Sequence, residues 1–596
     1  MCGIFGIVYK QDRLLGPTLI DAGLRLSYRG YDSVGIATIL ENGVIDLRKD
    51  AGKVKSVAEK YNFKEMIGQR AILQLRWATF GEPSLVNSQP HLDSEGLMVG
   101  AHNGNVVNNV ELREEFISEG MTVRSMNDGE SCVHAVERFT KKGFSMLEAI
   151  QKAYDVLKGD YAFVITKAND DKLYAFKKGS GLVAGIGDDF TCVSSDLPSI
   201  LPLTRNVVFM NDGEIIELSA DHYKIFSVSD GTPIERAVEI VEDTMEAAQK
   251  GGFEHFMLKE IHEQPKVAKE LIHLMNNSSA VEVTIEALIN ARNIFFIGCG
   301  TSYNACVTGS VYFNRISGRT TIPVAATQFI AQYNRSIGPE DVGIFVSQSG
   351  ETKDVLNAVE IAKQKGMKVY SLVNVVGSTL TKLSERWLPL ACGYEISVPA
   401  TKTFTNQLVA FLYLAYKMAK FDISDLEKIP GYMQSTIDDT KDQVLDVLPY
   451  LENWNDLYSL GYGVTFPIAL EGALKLKEIT YAHCEGMLST EFKHGPLAAV
   501  TLDYPILFTT IEEDISLIIS GINEVTCRGA RAIVIGPEDN RLKSNAQHTI
   551  TISQPTPEIA SILSIVPLQL LSYYMSIQRG FDPDFPRNLS KTLTVD

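Results

Sequence analysis

Basic charge is scarce in this 596-residue chain: 55 Lys and Arg face 73 Asp and Glu, a net charge of −18. No Lys/Arg cluster interrupts the acidic background. Nothing supplies the field that neutralises nucleic-acid phosphates or draws a protein to an anionic membrane, so neither partner is expected. The eight cysteines include no C-x-x-C pair, which argues against a zinc site or a disulfide framework and fits a reducing, cytoplasmic setting. The N-terminus lacks a basic region followed by an apolar one, so no secretory leader is expected. Long uncharged stretches are rare as well. Residues 559–577 form one, but they hold four serines, Pro567 and Gln569 and read as a core helix rather than a membrane span.

What is present is length and a change of texture. The chain is too long for one core. Residues 2–220 alternate short apolar strands with Gly- and Asn-rich turns and a few amphipathic helices, the pattern of an α+β domain with layered antiparallel sheets. A charged stretch follows and reads as a linker over 221–260. From about residue 290 the pattern becomes strand–turn–helix, with parallel strands expected. The strand entering Gly298-Cys299-Gly300-Thr301-Ser302 is echoed by one entering Gly461-Tyr462-Gly463-Val464-Thr465. Two similar α/β parallel-sheet domains in tandem, over 261–440 and 441–585, account for this echo. Residues 586–596 read as a tail.

Cys2 directly follows Met1. Methionine removal before a small side chain would leave a thiol and a free α-amine on one residue, and that amine, with a pKa of about 7.7–8.0, is a base beside a nucleophile. Downstream come Arg29-Gly30-Tyr31-Asp32-Ser33, Arg76-Trp77-Ala78-Thr79 and His102-Asn103-Gly104. Asn103 and Gly104 suit a tetrahedral oxyanion, through a side-chain amide and a backbone N–H. Arg76 suits an α-carboxylate by its planar fork. Asp128 suits an α-ammonium, and Asn127-Asp128-Gly129 is turn-like, so its carboxylate is expected on a loop.

This ordered set resembles the N-terminal-nucleophile glutamine amidotransferases, and residues 297–591 narrow the resemblance to the glucosamine-6-phosphate synthase family. The resemblance implies that Cys2 attacks the glutamine amide, that Arg76, Thr79 and Asp128 bind glutamine, and that Trp77 gates an ammonia channel. Three departures stand out: Gln74, Phe80 and Gln89 occupy positions where the family commonly has histidine.

In the second half, Ser302, Ser347, Gln348, Ser349 and Thr352 sit where strands give way to helices, where hydroxyls and backbone N–H groups hold phosphate without lysines. Glu471, Lys475 and Glu478 share one helix face at i, i+4 and i+7, and His494 is expected on a turn. The resemblance adds Ala400 in a sugar-contacting loop, with Pro399 before it as a departure. It implies that His494 opens the sugar ring, Glu478 shuttles a proton, Lys475 assists and Lys591 forms a Schiff base. It also implies a homodimer sharing the isomerase site, glutamine and fructose 6-phosphate as substrates, glucosamine 6-phosphate and glutamate as products, and no metal or organic cofactor. Two rival readings keep the same chain: another ketose phosphate as acceptor, or a sugar-phosphate sensor with an impaired glutaminase site.

Overall fold

The computed structural model describes residues 2–27, 29–78, 80–241 and 250–591. The chain divides into two compact units, Met1–Gln249 with Ser590–Asp596, and Lys250–Leu589.

The first unit is built on two antiparallel sheets of eight and seven strands among the described residues. Strand Gly3–Leu14 shows why they stack. Phe5, Ile7 and Tyr9 point to one face and pack with helix Gly16–Leu26 and its neighbours. Ile4 and Val8 point to the other and meet Val99, Ala101, Ala162 and Val164 of the second sheet. Alternation of side chains along the strand thus feeds two cores at once. The second sheet buries its far face under helices Asn109–Ser118, Asp128–Thr140 and Met146–Val156. The result is a helix–sheet–sheet–helix sandwich of the expected α+β class.

Two local readings change. The sheets continue past residue 220: His222–Ser227 and Pro233–Ile234 extend the second sheet, and Glu239–Ile240 pairs with Asn206–Phe209. These are edge or near-edge strands with exposed polar residues, so their composition imitates a linker. Asp128 is the first residue of helix Asp128–Thr140 rather than a loop residue. Asn127 caps that helix, its side chain accepting from Gly129 N at 3.0 Å. A cap and a turn draw on the same residue types.

The second unit contains two parallel five-stranded sheets. In chain order of its own strands, each sheet runs 2-1-3-4-5: Ile322–Ala325 and Val342–Ser347 flank Ile294–Gly298, as His483–Leu488 and Pro505–Thr509 flank Asp456–Gly461. The echo in sequence is therefore a repeat in topology. Helices Phe256–Asn276, Lys402–Ala419 and Pro557–Gln578 share a continuous core. The last is long and apolar enough to cross a membrane, but its apolar window is 94% buried inside the protein, as expected of a core helix.

Helix Asp128–Thr140 is held by buried charge. His134 Nδ1 lies 2.6 Å from Glu137 Oε2 and its Nε2 lies 3.5 Å from Glu130 Oε1. Burial opposes every charge here, but the hydrogen bonds win. His134 is held above its ordinary value, and Glu130 and Glu137 are held at about 2. The carboxylate contributions are present above their unfolded values and fade as pH falls toward about 2. The histidine contribution is complete below its unfolded value and fades as pH rises through its raised one. The cluster therefore stabilises most between about pH 4.5 and 6.5. His134→Leu is expected to cost the first unit about 3 kcal/mol near pH 6, because a buried ion loses its partner. Urea unfolding across pH checks this, with the deficit narrowing below about pH 4.5.

Candidate functional site

In the first unit, Gly3 pairs with Leu75 across the Gly3–Leu14 and Ile67–Arg76 strands, so Cys2 arrives beside Arg76 and Trp77. Trp77 N donates to Cys2 Sγ at 3.4 Å, and Sγ lies 3.6 Å from Trp77 O. Burial raises the Cys2 thiol above its ordinary value, against the pull of the Trp77 amide and the Arg76 guanidinium. The sulfur therefore rests as a thiol and must give up its proton during any attack.

Arg76 is fully buried at the end of its strand. It donates to the carbonyls of Phe80, Gly81 (2.7 Å) and Glu82 (3.4 Å), tying down the loop that follows Trp77. Phe80 meets Arg76 through its backbone, so the missing imidazole removes nothing from this contact. Thr79 lies outside the described residues. Asp32 braces the same turn: its carboxylate accepts from Ala78 N at 2.8 Å and its N–H donates to Arg76 O at 3.0 Å.

Asn103 and Gly104 lie on strand Met98–Val106 of the other sheet. Asn103 Nδ2 donates to Ser195 Oγ at 2.6 Å, and the same oxygen accepts from Ile4 N at 2.8 Å. One hydroxyl thus joins the nucleophile's strand to the candidate oxyanion donor. Gly104 has φ +105°, and a β-carbon there would strike the Asp160 carbonyl. Asp128, completely buried, accepts from Val106 N at 3.0 Å. His102 Nε2 approaches Asp128 Oδ2 to 3.0 Å, off the line of an aligned hydrogen bond.

In the second unit, the phosphate candidates gather at the switch point between strands Ile294–Gly298 and Val342–Ser347, where such sheets bind ligands. Ser347 Oγ accepts from Gly350 N at 2.9 Å and lies 3.2 Å from Thr352 Oγ1. Thr352 precedes helix Lys353–Gln364 without giving it a side-chain cap. Ser349 Oγ accepts from Glu351 N at 3.1 Å. The loop turns at Gly350, whose φ is +67°. Gln348 is half-buried, its carbonyl accepting from Val375 N at 3.2 Å. Ser302 Oγ accepts from Gln407 Nε2 at 3.0 Å. Ala400 precedes helix Lys402–Ala419, whose start is capped by buried Glu395 accepting from Thr401 N and Thr403 N at 3.0 Å each.

Helix Phe466–Thr480 carries the acid–base row. Lys475 Nζ lies 2.6 Å from Glu478 Oε2 and 3.3 Å from Glu471 Oε1, with the lysine and Glu471 side chains each only 1% exposed. Thr301 Oγ1 and Asn304 Nδ2 donate to the two Glu471 oxygens at 2.9 and 2.8 Å. Burial raises Glu471. For Lys475 burial acts the other way, but Glu478 and Glu471 outweigh it and hold the ammonium above its ordinary value. Glu478 also borders a cavity of about 460 Å³ lined by Lys477, Tyr481, His483 and Arg587 among others. His494 ends the short helix Phe492–His494 and is exposed. Lys591 belongs to the first unit, so it does not share a unit with Glu478.

Sequence reasoning gave no role to Ser195, His102, Thr301, Asn304 or Gln407. A lone serine 193 residues from Cys2 carries no local signal. Asn304 did leave one, sitting three residues after Thr301 on the first turn of a helix that follows a Gly-rich bend. Among the described residues, no three His, Cys, Asp or Glu side chains cluster as a metal site. Lys475→Ala is expected to cost the second unit about 3–5 kcal/mol in denaturant unfolding, since Glu471 would stay buried without its cation. The double change with Glu471→Leu should recover part of that loss.

Comparisons with known proteins bear on the whole chain. The SIS domain model matches residues 287–417 and 450–579, one match on each parallel sheet, and the glutamine amidotransferase domain model matches residues 82–201. The glutamine–fructose-6-phosphate aminotransferase [isomerizing] of Pyrobaculum aerophilum is 38% identical over 610 aligned residues, covering 100% of both chains. That of Thermococcus kodakarensis is 38% identical over 612, again covering 100% of both. Among solved structures, the C-terminal domain of glucosamine-fructose-6-phosphate aminotransferase from Francisella tularensis aligns with TM-score 0.52 and 30% identity, over 57% of this chain and 100% of that one. Tagatose-6-phosphate ketose/aldose isomerase from Escherichia coli, at TM-score 0.51 and 19% identity over 56% of this chain and 95% of that one, shares the fold. With end-to-end similarity at this level, the chain belongs to the isomerizing glutamine–fructose-6-phosphate aminotransferases.

Proposed function

We propose that the protein converts fructose 6-phosphate and glutamine to glucosamine 6-phosphate and glutamate. The observation that carries this reading is that one chain holds two polar centres of complementary chemistry. One is a buried thiol beside a carboxylate-binding fork, and the other an ammonium between two carboxylates near a hydroxyl-lined switch point.

In the glutaminase half, Cys2 attacks the glutamine side-chain carbonyl, and its own α-amine, freed by loss of Met1, takes the thiol proton. Asn103 and Gly104 receive the negative charge that builds on the carbonyl oxygen. Arg76, Thr79 and Asp128 grip the amino-acid end. Ammonia leaves carrying a proton, and water then releases glutamate from the thioester. Trp77, whose backbone N–H donates to Cys2 Sγ, gates the ammonia channel in this reading.

In the isomerase half, Ser302, Ser347, Gln348, Ser349 and Thr352 hold the phosphate, with Ala400 against the sugar. His494 promotes ring opening, Lys591 forms a Schiff base at C2, and ammonia displaces the lysine to leave an imine. Glu478 moves a proton from C1 to C2, giving the 2-amino aldose, while Lys475, 2.6 Å away, keeps the Glu478 carboxylate placed. The water lost in imine formation balances the water used in hydrolysis. We place the protein as a homodimer in which the exposed His494 serves the partner's site. The first domain then runs through its last paired strand, Glu239–Ile240, two sugar-isomerase domains follow over 261–440 and 441–585, and 586–596 is the tail bearing Lys591.

Amide-labelled glutamine supplied with fructose 6-phosphate, followed by mass spectrometry, tests the whole scheme. Label should appear in glucosamine 6-phosphate; label confined to free ammonia would mean that the acceptor is wrong. Cys2→Ala should abolish glutamate release, and Asn103→Ala should lower its kcat by about 10²–10³. Unchanged release from the Cys2→Ala protein would overturn the nucleophile.

A further inference from the structure

Two of the three replaced histidines converge on one residue. His102 N, which can only donate, donates to Gln89 Oε1 at 2.7 Å and so fixes which way that amide faces. The Gln89 NH₂ therefore lies on the other side. It donates to His102 O at 3.1 Å and stands 3.1 Å from His102 Nδ1. Gln74 Nε2 donates to the same His102 carbonyl at 3.3 Å. Both glutamines are completely buried and His102 is 1% exposed, so water cannot substitute for these partners.

An NH₂ group facing Nδ1 needs a lone pair there. Gln89 Oε1 is farther from Nδ1, at 3.3 Å, and is already engaged by the backbone N–H. The ring proton is then on Nε2, the nitrogen 3.0 Å from Asp128 Oδ2. Helix Asp128–Thr140 approaches closely enough to need Gly129, where a β-carbon would collide with Gln89 Oε1 and His102 Nδ1. Gln89, His102 and the start of the Asp128 helix thus pack as one piece.

Resting on the glutamine-hydrolysing reading above, we infer that Gln89 is a positioning residue for glutamine binding. It fixes the orientation of the His102 ring, and through His102 sets the Asp128 carboxylate that receives the substrate's α-ammonium. Gln74 steadies the same histidine from behind. The charged and titratable groups around this piece are Asp128 and Glu130 on the helix, His91 beside Asn127, Arg76 on the neighbouring strand, Cys2, and Lys49, which donates to Ser88 O and Pro90 O on either side of Gln89. Gln89 itself does not titrate. Glutamine binding therefore lacks the acid-side dependence that an imidazole at this position would impose.

The test is steady-state glutamate release by the full-length protein from about pH 5.5 to 8.5, for wild type, Gln89→Leu, Gln89→His and Gln74→Leu. Gln89→Leu should raise the glutamine KM about tenfold or more while kcat changes little, as expected for a lost hydrogen bond that orients a charged group. Gln89→His should approach the wild-type KM near pH 8. It should lose affinity below about pH 6.5, where a protonated ring can no longer accept from His102 N. Gln74→Leu should show a smaller KM increase. A wild-type KM in Gln89→Leu, or a Gln89→His profile parallel to wild type, overturns the inference, and the second arm decides if Gln89→Leu does not fold. Wild-type protein that hydrolyses no glutamine would bring down the parent reading. Normal turnover with KM indifferent to residue 89 would bring down this inference alone.

Discussion

A charge removed from water must be met by partners already in place, and this requirement organises both halves of the protein. Asp128, Arg76, Glu471 and Lys475 are each almost wholly buried. None could stay ionised on an apolar wall. Each is surrounded instead by polar groups: Val106 N and His102 for Asp128, the nearby carbonyls of Phe80, Gly81 and Glu82 for Arg76, Thr301 and Asn304 from far along the chain for Glu471, and Glu471 and Glu478 of the same helix for Lys475. The surrounding structure exists in the form it does because these charges would otherwise be expelled or neutralised.

The two units meet the requirement differently. In the first, strand register does the placing. Pairing of Gly3 with Leu75 sets Cys2 against Trp77, and a slip of one residue would turn every inward side chain of that strand outward. Ser195 then joins the two sheets where the strand that follows Cys2 meets Asn103. In the second unit, topology does the placing. Strand order 2-1-3-4-5 opens a crevice at the switch point, and helix starts there offer hydroxyls and N–H groups. The repeat of that order explains why two stretches of unlike sequence share a Gly-rich bend after their first strand.

The histidine replacements illustrate how one contact can be satisfied by different chemistry. Phe80 serves through its carbonyl, for which any side chain will do. Gln74 and Gln89 supply donors and an acceptor at fixed angles without a titrating group. An amide has one donor end and one acceptor end at every pH, so its hydrogen-bond pattern toward a neighbour does not change with titration.

Local order determined what could be read directly. Alternating apolar residues announced the antiparallel sheets, strand–turn–helix repeats announced the parallel ones, and the spacing of Glu471, Lys475 and Glu478 put them on one helix face, where Lys475 lies against both carboxylates. Cys2 and the candidate glutamine-site residues after it stood out because each sits within a short distinctive motif. Tertiary structure alone decided the rest. It showed that edge strands continue beyond residue 220, that Asp128 opens a helix, and that Ser195, Gln74 and Gln89 reach across 92, 28 and 13 positions, respectively, to Asn103 and His102. Those links depend on three-dimensional packing between elements, and a single hydroxyl or amide leaves no periodic or local trace of the partner it will find.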